Sequence, residues 1–182
     1  MNSTHHEISE LTADQLDAYL DSLSDLLHAC VHAGASVNFI MPFPKEEARR
    51  YWLDRVFPDV GRGTKTLFIA IENGKVAGSV QLDVGAPPNQ AHRADILKLL
   101  VAPEARRRGL GSRLMAIAEA AAQARGRWLL TLDTRTGDIA EPLYLQLGYT
   151  IAGVIPEYCR DPHTDALDST TLMYKRLAYA RP

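Results

Sequence analysis

Cysteine is scarce in this chain of 182 residues, with only Cys30 and Cys159, far apart and outside any CxxC spacing. Neither a disulfide framework nor a zinc site can be argued from such a pair, and Cys30 is expected in the core. Long apolar runs are missing as well. None approaches the roughly 20 residues that cross a bilayer, and the opening MNSTHHEIS lacks the apolar stretch of a secretory leader. A cytoplasmic protein without a membrane partner is the expectation. An excess of positive charge is also absent: 20 Lys and Arg stand against 22 Asp and Glu, a formal net charge of −2. Binders of DNA and RNA usually carry a large basic excess that releases counterions from phosphate, so no nucleic-acid partner is expected. Internal repeats and low-complexity linkers are not found either. With 46% hydrophobic and 23% charged residues, the chain reads as one globular domain over 1–182, long enough to bury a core.

What is present is a clear change of period along the chain. A short strand is expected at 6–9. Thr12 with Gln15 three residues on makes a capping box, and Leu16, Tyr19, Leu20, Leu23, Leu26, Leu27, Cys30 and Val31 then recur at helical spacing until Gly34. Pro44 suits the first turn of a second helix running through Val56, with Gly61 and Gly63 ending that segment. From Thr66 the period becomes two, with a type I′ turn at Asn73-Gly74 between Leu67, Ile69, Ile71 and Val76, Val80, Leu82, so a hairpin is predicted. A buried strand follows over 94–102, a helix over 109–125, a strand over 128–132, a short helix over 138–147, and strands over 149–155 and 170–177 with a polar loop between them. This βααβββαβαββ order predicts a mixed α/β sheet, parallel where strand and helix alternate and antiparallel at the hairpin.

The densest charge run, Arg106, Arg107 and Arg108, stands against Gly109 and Gly111 where a strand gives way to a helix. A helix start exposes unpaired backbone N–H groups and a partial positive charge, a ready seat for phosphate, and the two glycines would let a ligand come close to them. Walker A needs a lysine after its last glycine, and a dinucleotide fingerprint needs GxGxxG at a first strand; neither fits this R-x-x-G-x-G pattern.

The stretch LLVAPEARRRGLGSRLM resembles the acyl-CoA-binding motif of the GNAT superfamily of N-acetyltransferases. The resemblance implies a mostly antiparallel sheet of six to seven strands, splayed at its centre, with helices on both faces. It implies acetyl-CoA as cofactor, with the amides of Arg106, Arg107, Arg108, Gly109, Leu110, Gly111 and Ser112 around the pyrophosphate and those of Leu99, Leu100 and Val101 along the pantetheine arm. Val101 N–H, or one near it, is the expected oxyanion donor. HAGASVNF (32–39), RADILKLLV (93–101), LDTRTGDIAEPLY (132–144) and PEYC (156–159) are most similar to members that acetylate a small amino-acid toxin, which implies a role in toxin or antibiotic resistance. Gly137 departs from the family pattern, where asparagine often touches the cofactor.

Acetyl transfer needs a neutral amine, a stabilised oxyanion and a proton for the departing thiolate. Tyr144 matches the family tyrosine beside the cofactor sulfur, and a phenol, with an ordinary pKa of about 10, keeps its proton at neutral pH. Asp133 ends a parallel strand, where ligands of open α/β sheets collect, and Asp95 precedes the buried part of the previous one. Either carboxylate is a candidate base, a binder of the substrate ammonium, or a mere turn former. The resemblance favours both as the amine-side pair, although the most similar members carry glutamate where Asp95 stands. Ser36, Asn38 and Phe39 in the wall at 34–39, with Tyr158 in a loop through Glu157 and Asp161, are candidates for the acceptor pocket. His28 and His32 stand four apart but lack a third ligand, so no metal is expected. The acceptor is expected to be the primary amine of an amino acid, dipeptide or related toxin. A protein N-terminus or lysine, or a non-catalytic acyl-CoA sensor, stays open as an alternative. A homodimer is a further expectation from the resemblance.

Overall fold

The computed structural model describes residues 7–178. The elements run β1 (Glu7–Leu11), α1 (Leu16–His32), α2 (Lys45–Tyr51), α3 (Phe57–Gly61), β2 (Lys65–Glu72), β3 (Lys75–Asp83), β4 (Arg93–Val101), α4 (Leu110–Ala124), β5 (Leu129–Arg135), α5 (Ala140–Gln146), β6 (Thr150–Arg160) and β7 (Leu167–Arg176). All seven strands form one sheet in the order β1-β2-β3-β4-β5-β7-β6. His5 and His6 lie outside the described residues.

Local chemistry accounts for most of these boundaries. At the entry to α1, Thr12 N–H donates to Gln15 Oε1 at 3.1 Å, the reciprocal half of the capping box, and a short 3-10 turn precedes the helix. The stripe then buries Leu16, Leu20, Leu23, Leu27, Cys30 and Val31. Between β2 and β3, Asn73 (φ 51°) and Gly74 (φ 76°) both adopt the left-handed conformation that a type I′ turn requires.

α1 and α2 cover one face of β3 and β4, where Tyr51 meets Gln81 and Cys30 Sγ contacts Val101 O at 3.4 Å. α4 covers the other. A Cβ added at Gly78 of β3 would stand 3.0 Å from Leu114 and 3.3 Å from Leu110, so glycine there lets α4 lie against the sheet.

Three sequence expectations are corrected. The second helix is not continuous: Trp52–Val56 form a π turn between α2 and α3, with Phe57 N–H reaching back to Trp52 O. Pro58 has no N–H and its ring clashes with the carbonyl four residues earlier, so the ladder widens just before it. Parallel pairing in the second half is limited to β4 with β5, because β7 lies between β5 and β6 and is antiparallel to both. The more buried strand takes the inner place: β7 buries Thr170, Thr171 and Met173, whereas β6 buries none of its residues. Finally, Glu157 and Tyr158 are not in a loop. β6 continues past Pro156 through an irregularity in its pairing with β7, with Glu157 at φ 53°, and pairing resumes at Cys159↔Asp168. Proline cannot donate to the ladder, so a bulge absorbs it and the strand goes on.

The centre of the sheet opens. β4 and β5 pair only from Arg93↔Leu129 to Asp95↔Thr131 and then diverge. On its other side β4 stays with β3 through a bulge in which Lys98 and Leu99 stand against Val80 alone, Lys98 taking φ 49°.

Candidate active site

The edge of β4 that faces the opening carries bare backbone groups. Ala102 N–H donates to Ala77 O of the β3 side at 2.9 Å. Amides alternate in direction along a strand, so Val101 N–H points the other way, into the gap. Leu100, one residue earlier, pairs with Ser79 of β3, so its amide faces away from the opening, a correction to the expectation that all three amides of 99–101 are available, while Leu99 lies in the bulge.

Directly beyond lies the turn into α4. Arg107 (φ 62°) and Gly109 (φ 76°) are both left-handed, the alternation that turns successive amides toward a common concavity. The first internal bond of α4 is Arg113 N–H to Gly109 O at 3.2 Å. Leu110, Gly111 and Ser112 therefore present their amides outward at the positive end of the helix dipole.

The two glycines do different work. A Cβ at Gly109 would meet nothing within 4 Å, so that position borders open space, whereas at Gly111 it would stand 3.2 Å from Leu143 of α5. Gly111 thus also lets α4 pack closely against α5. The arginines divide as well. Arg106 Nε bonds Val101 O at 3.2 Å and ties the turn to the strand end. Arg108 pairs with Glu72 of β2. Arg107 is exposed and makes no hydrogen bond or ion pair among the described residues.

Tyr144 is carried by α5 and is buried, its ring edge-on to Tyr149 at 5.9 Å. Burial pushes its phenol well above the ordinary range, and the nearby negative charges of Asp133 and Asp138 push it further. It is therefore a proton donor throughout the physiological range. Gly137, on the loop before α5, takes φ 75°.

On the α1 side of the sheet, Arg93, Asp95, Leu97, Thr131, Asp133 and Tyr174 help line a cavity of about 410 Å³. The two candidate carboxylates differ sharply. Asp95 accepts from Arg93 at 2.5 Å and from the Thr131 hydroxyl. Asp133 is exposed, and its carboxylate makes no hydrogen bond or ion pair among the described residues. Ser36 lies against Cys159 of β6, Oγ to Sγ 3.8 Å, and Phe39 packs on Phe43 and Tyr51, but none of Ser36, Asn38, Phe39 and Tyr158 is among the residues that line the cavity. Asn38 sits in that wall at φ 72°, and Tyr158 is exposed on β6.

One residue escaped the sequence reading. Lys98 sits in the β4 bulge, and burial lowers its pKa to about 8, with Asp133 opposing the shift. A lysine inside the apolar run ILKLLV was the available signal. Among the described residues no group of three or more His, Cys, Asp and Glu side chains could hold a metal, and no helix is long and apolar enough to cross a membrane.

The fold is a mixed sheet that parts at its parallel pair, beside a helix whose first amides are bare. Such a helix start beside an open strand edge can seat a phosphorylated, extended ligand, and comparison with known proteins gives the family. The Acetyltransferase (GNAT) family model matches residues 28–149. An N-acetyltransferase of Azospirillum brasilense from the hisH-hisA intergenic region, itself uncharacterized, is 33% identical over 142 residues, covering 74% of this chain and 82% of that protein. Among solved structures, an N-acetyltransferase of Staphylococcus aureus Mu50 superposes with a TM-score of 0.77 at 19% identity, covering 96% of this chain and 99% of the other. The yncA structure from Salmonella typhimurium, with its cofactor acetyl-CoA, gives a TM-score of 0.74 at 17% identity, covering 98% of each chain. The chain belongs to the GNAT family of acetyltransferases.

Proposed function

We propose that this enzyme transfers acetyl from acetyl-CoA to the primary amine of a small molecule, an amino acid, a dipeptide or an amino-acid-like toxin. The observation that carries this reading is the 410 Å³ cavity holding an unpaired carboxylate, Asp133, whose charge is also felt by the buried phenol of Tyr144. A volume of that order suits a small ligand.

Bound acetyl-CoA would supply an activated acyl group as a thioester. The amides from Arg106 to Ser112 would hold its pyrophosphate, Arg107 would be free to add charge, and the open edge of β4 from Leu99 to Val101 would pair with its pantetheine arm. Open space around Gly109 fits that role. Val101 N–H would face the developing oxyanion. Asp133 would receive the acceptor ammonium and take its proton, directly or through water. Asp95, already engaged by Arg93 and Thr131, would shape the same cavity rather than act first. Tyr144 would give its proton to the leaving thiolate. Ser36, Asn38, Phe39 and Tyr158 would bound the acceptor.

The resemblance of 32–39, 93–101, 132–144 and 156–159 to the tabtoxin-resistance acetyltransferase supports an amino-acid-like acceptor and a role in toxin or antibiotic resistance. Membership of the GNAT family supports a homodimer, and the cytoplasmic location expected from the sequence is kept as part of the proposal.

Two measurements test this reading. Calorimetry with coenzyme A should show uptake by the wild type and at least ~10-fold weaker uptake by Gly109→Val, whose side chain would enter the cradle. Thiol release from acetyl-CoA over a panel of amines should show turnover of amino acids or dipeptides. Turnover of peptides alone would move the acceptor to protein N-termini or lysines. Coenzyme A uptake without any turnover would make the protein a sensor.

A further inference from the structure

We infer that Arg135 is a specificity-determining positioning residue: by clamping three separate segments around the end of the acceptor cavity, it sets the size of amine that reaches Asp133. The clamp is read from the geometry, and only its effect on the acceptor rests on the proposed acetyl transfer.

Side chains alternate along β5, so Thr131, Asp133 and Arg135 project from one face, and Arg135 stands at the end of the row that lines the cavity. Its guanidinium reaches Asp161 at 3.1 Å, Asp168 at 3.4 Å and Asp138 at 3.4 Å. It also donates to Gly34 O at 3.3 Å. These partners belong to different parts of the chain. Gly34 opens the α1–α2 wall, Asp138 lies on the loop leading to the helix of Tyr144, and Asp161 and Asp168 flank the turn between β6 and β7.

A second tie completes the closure. Met41 N–H donates to Pro162 O at 2.8 Å. The wall that holds Ser36, Asn38 and Phe39 is thus pinned at both ends, at Gly34 through Arg135 and at Met41 through the β6–β7 turn. Asp161 is itself oriented for the task. Its Oδ1 accepts from the amides of His163 and Thr164, both at 2.9 Å, which leaves Oδ2 for Arg135. Those amide bonds hold its carboxyl below the ordinary range, so it stays charged.

One cation serves three carboxylates, and the guanidinium is only 22% exposed. Removing it would leave three like charges facing one another, half-screened by solvent. The segments would then be pushed apart rather than merely released. This charge logic separates a clamp from a residue that only fills space.

Amide hydrogen exchange on the full chain tests the clamp without any ligand. Arg135→Gln should raise exchange ~10-fold together in the segments 34–41, 136–140 and 158–166, with the β2–β3 hairpin and α4 unchanged. Asp168→Asn in the Arg135→Gln background should restore part of the protection by removing one repelling charge. Arg135→Lys, which keeps the charge and loses the fork, should show the same localised pattern in smaller measure, and serves if Arg135→Gln does not fold. A rise confined to one segment, a rise spread through β2 and β3, or no recovery with Asp168→Asn overturns the clamp.

The specificity role is read from thiol release with two probes, glycinamide and triglycine. Arg135→Gln should shift the ratio of their kcat/KM values ~10-fold toward triglycine while coenzyme A affinity holds. An unchanged ratio beside a localised exchange rise overturns that role. If the wild type turns over neither amine, the acetyl-transfer reading fails, and the exchange pattern still decides whether Arg135 clamps the walls.

Discussion

The two halves of the sheet are built to different rules. β2 and β3 lie between helical layers and are buried on both faces over most of their length, whereas β6 at the far edge has no buried residue. Ile151, Val154, Ile155 and Leu167 stand exposed on the second half, while Leu67, Ile69, Val80 and Leu82 are sealed in the first. The covered half supplies the hydrophobic stabilisation and can hold a fixed backbone beside it. The uncovered half has no second layer to satisfy, so its side chains are free to line a cavity. The proposed site lies on the seam between them, where β4 parts from β5.

The comparison can be broken by substitution. The largest effect is expected at Leu114, fully buried where α4 meets Gly78: Leu114→Ala should cost about 3–5 kcal/mol in denaturant unfolding. A loss below about 1 kcal/mol would mean that the covered half is not where stability resides.

Next comes the seam. Tyr144→Phe keeps the packing on Tyr149 but removes the hydroxyl, so kcat for acetyl transfer should fall about 100-fold with coenzyme A affinity unchanged. An unaltered kcat would remove Tyr144 from the chemistry.

A smaller and pH-dependent effect is expected at Lys98. In the folded chain it loses its proton near 8, against an ordinary value of 10.5. Between those values the unfolded chain binds more protons than the folded one, so the contribution of Lys98 to stability rises with pH across that window. Below it the buried charge is a constant penalty. Lys98→Met should therefore be more stable than the wild type at pH 7, with the advantage shrinking as pH rises from about 8 toward 10.5. An advantage independent of pH would show that the ammonium is not desolvated.

The smallest effect belongs to the bare half. Val154→Thr, on a strand residue 51% exposed, should shift unfolding by no more than about 0.5 kcal/mol.

Much of the covered half was legible in the sequence because its signals are local. The α1 stripe, its capping box and the Asn73-Gly74 turn each need only a few neighbouring residues, and the R-x-x-G-x-G spacing marked the turn into α4. What escaped depends on distant partners. The bulge at Lys98 exists only against Val80 of another strand, and the interior place of β7 only relative to β5. Pro156 read as a strand end because the β7 residues that resume pairing beyond it lie in a separate segment. At the candidate site, the two aspartates looked alike along the chain. Arg93 and Thr131, which occupy Asp95 and leave Asp133 free, become visible only when β4 and β5 are side by side. Arg135 read as one charge among many, since its carboxylate partners Asp161 and Asp168 follow some thirty residues later.

The parting of β4 from β5 has an evolutionary consequence. Its donors are peptide N–H groups, which every residue but proline supplies, so most replacements along that edge would leave in place the grip proposed for it on a linear ligand. The neighbouring strand can change its side chains one at a time. A gene of this kind can therefore acquire a new amine without having to relearn how to hold its donor.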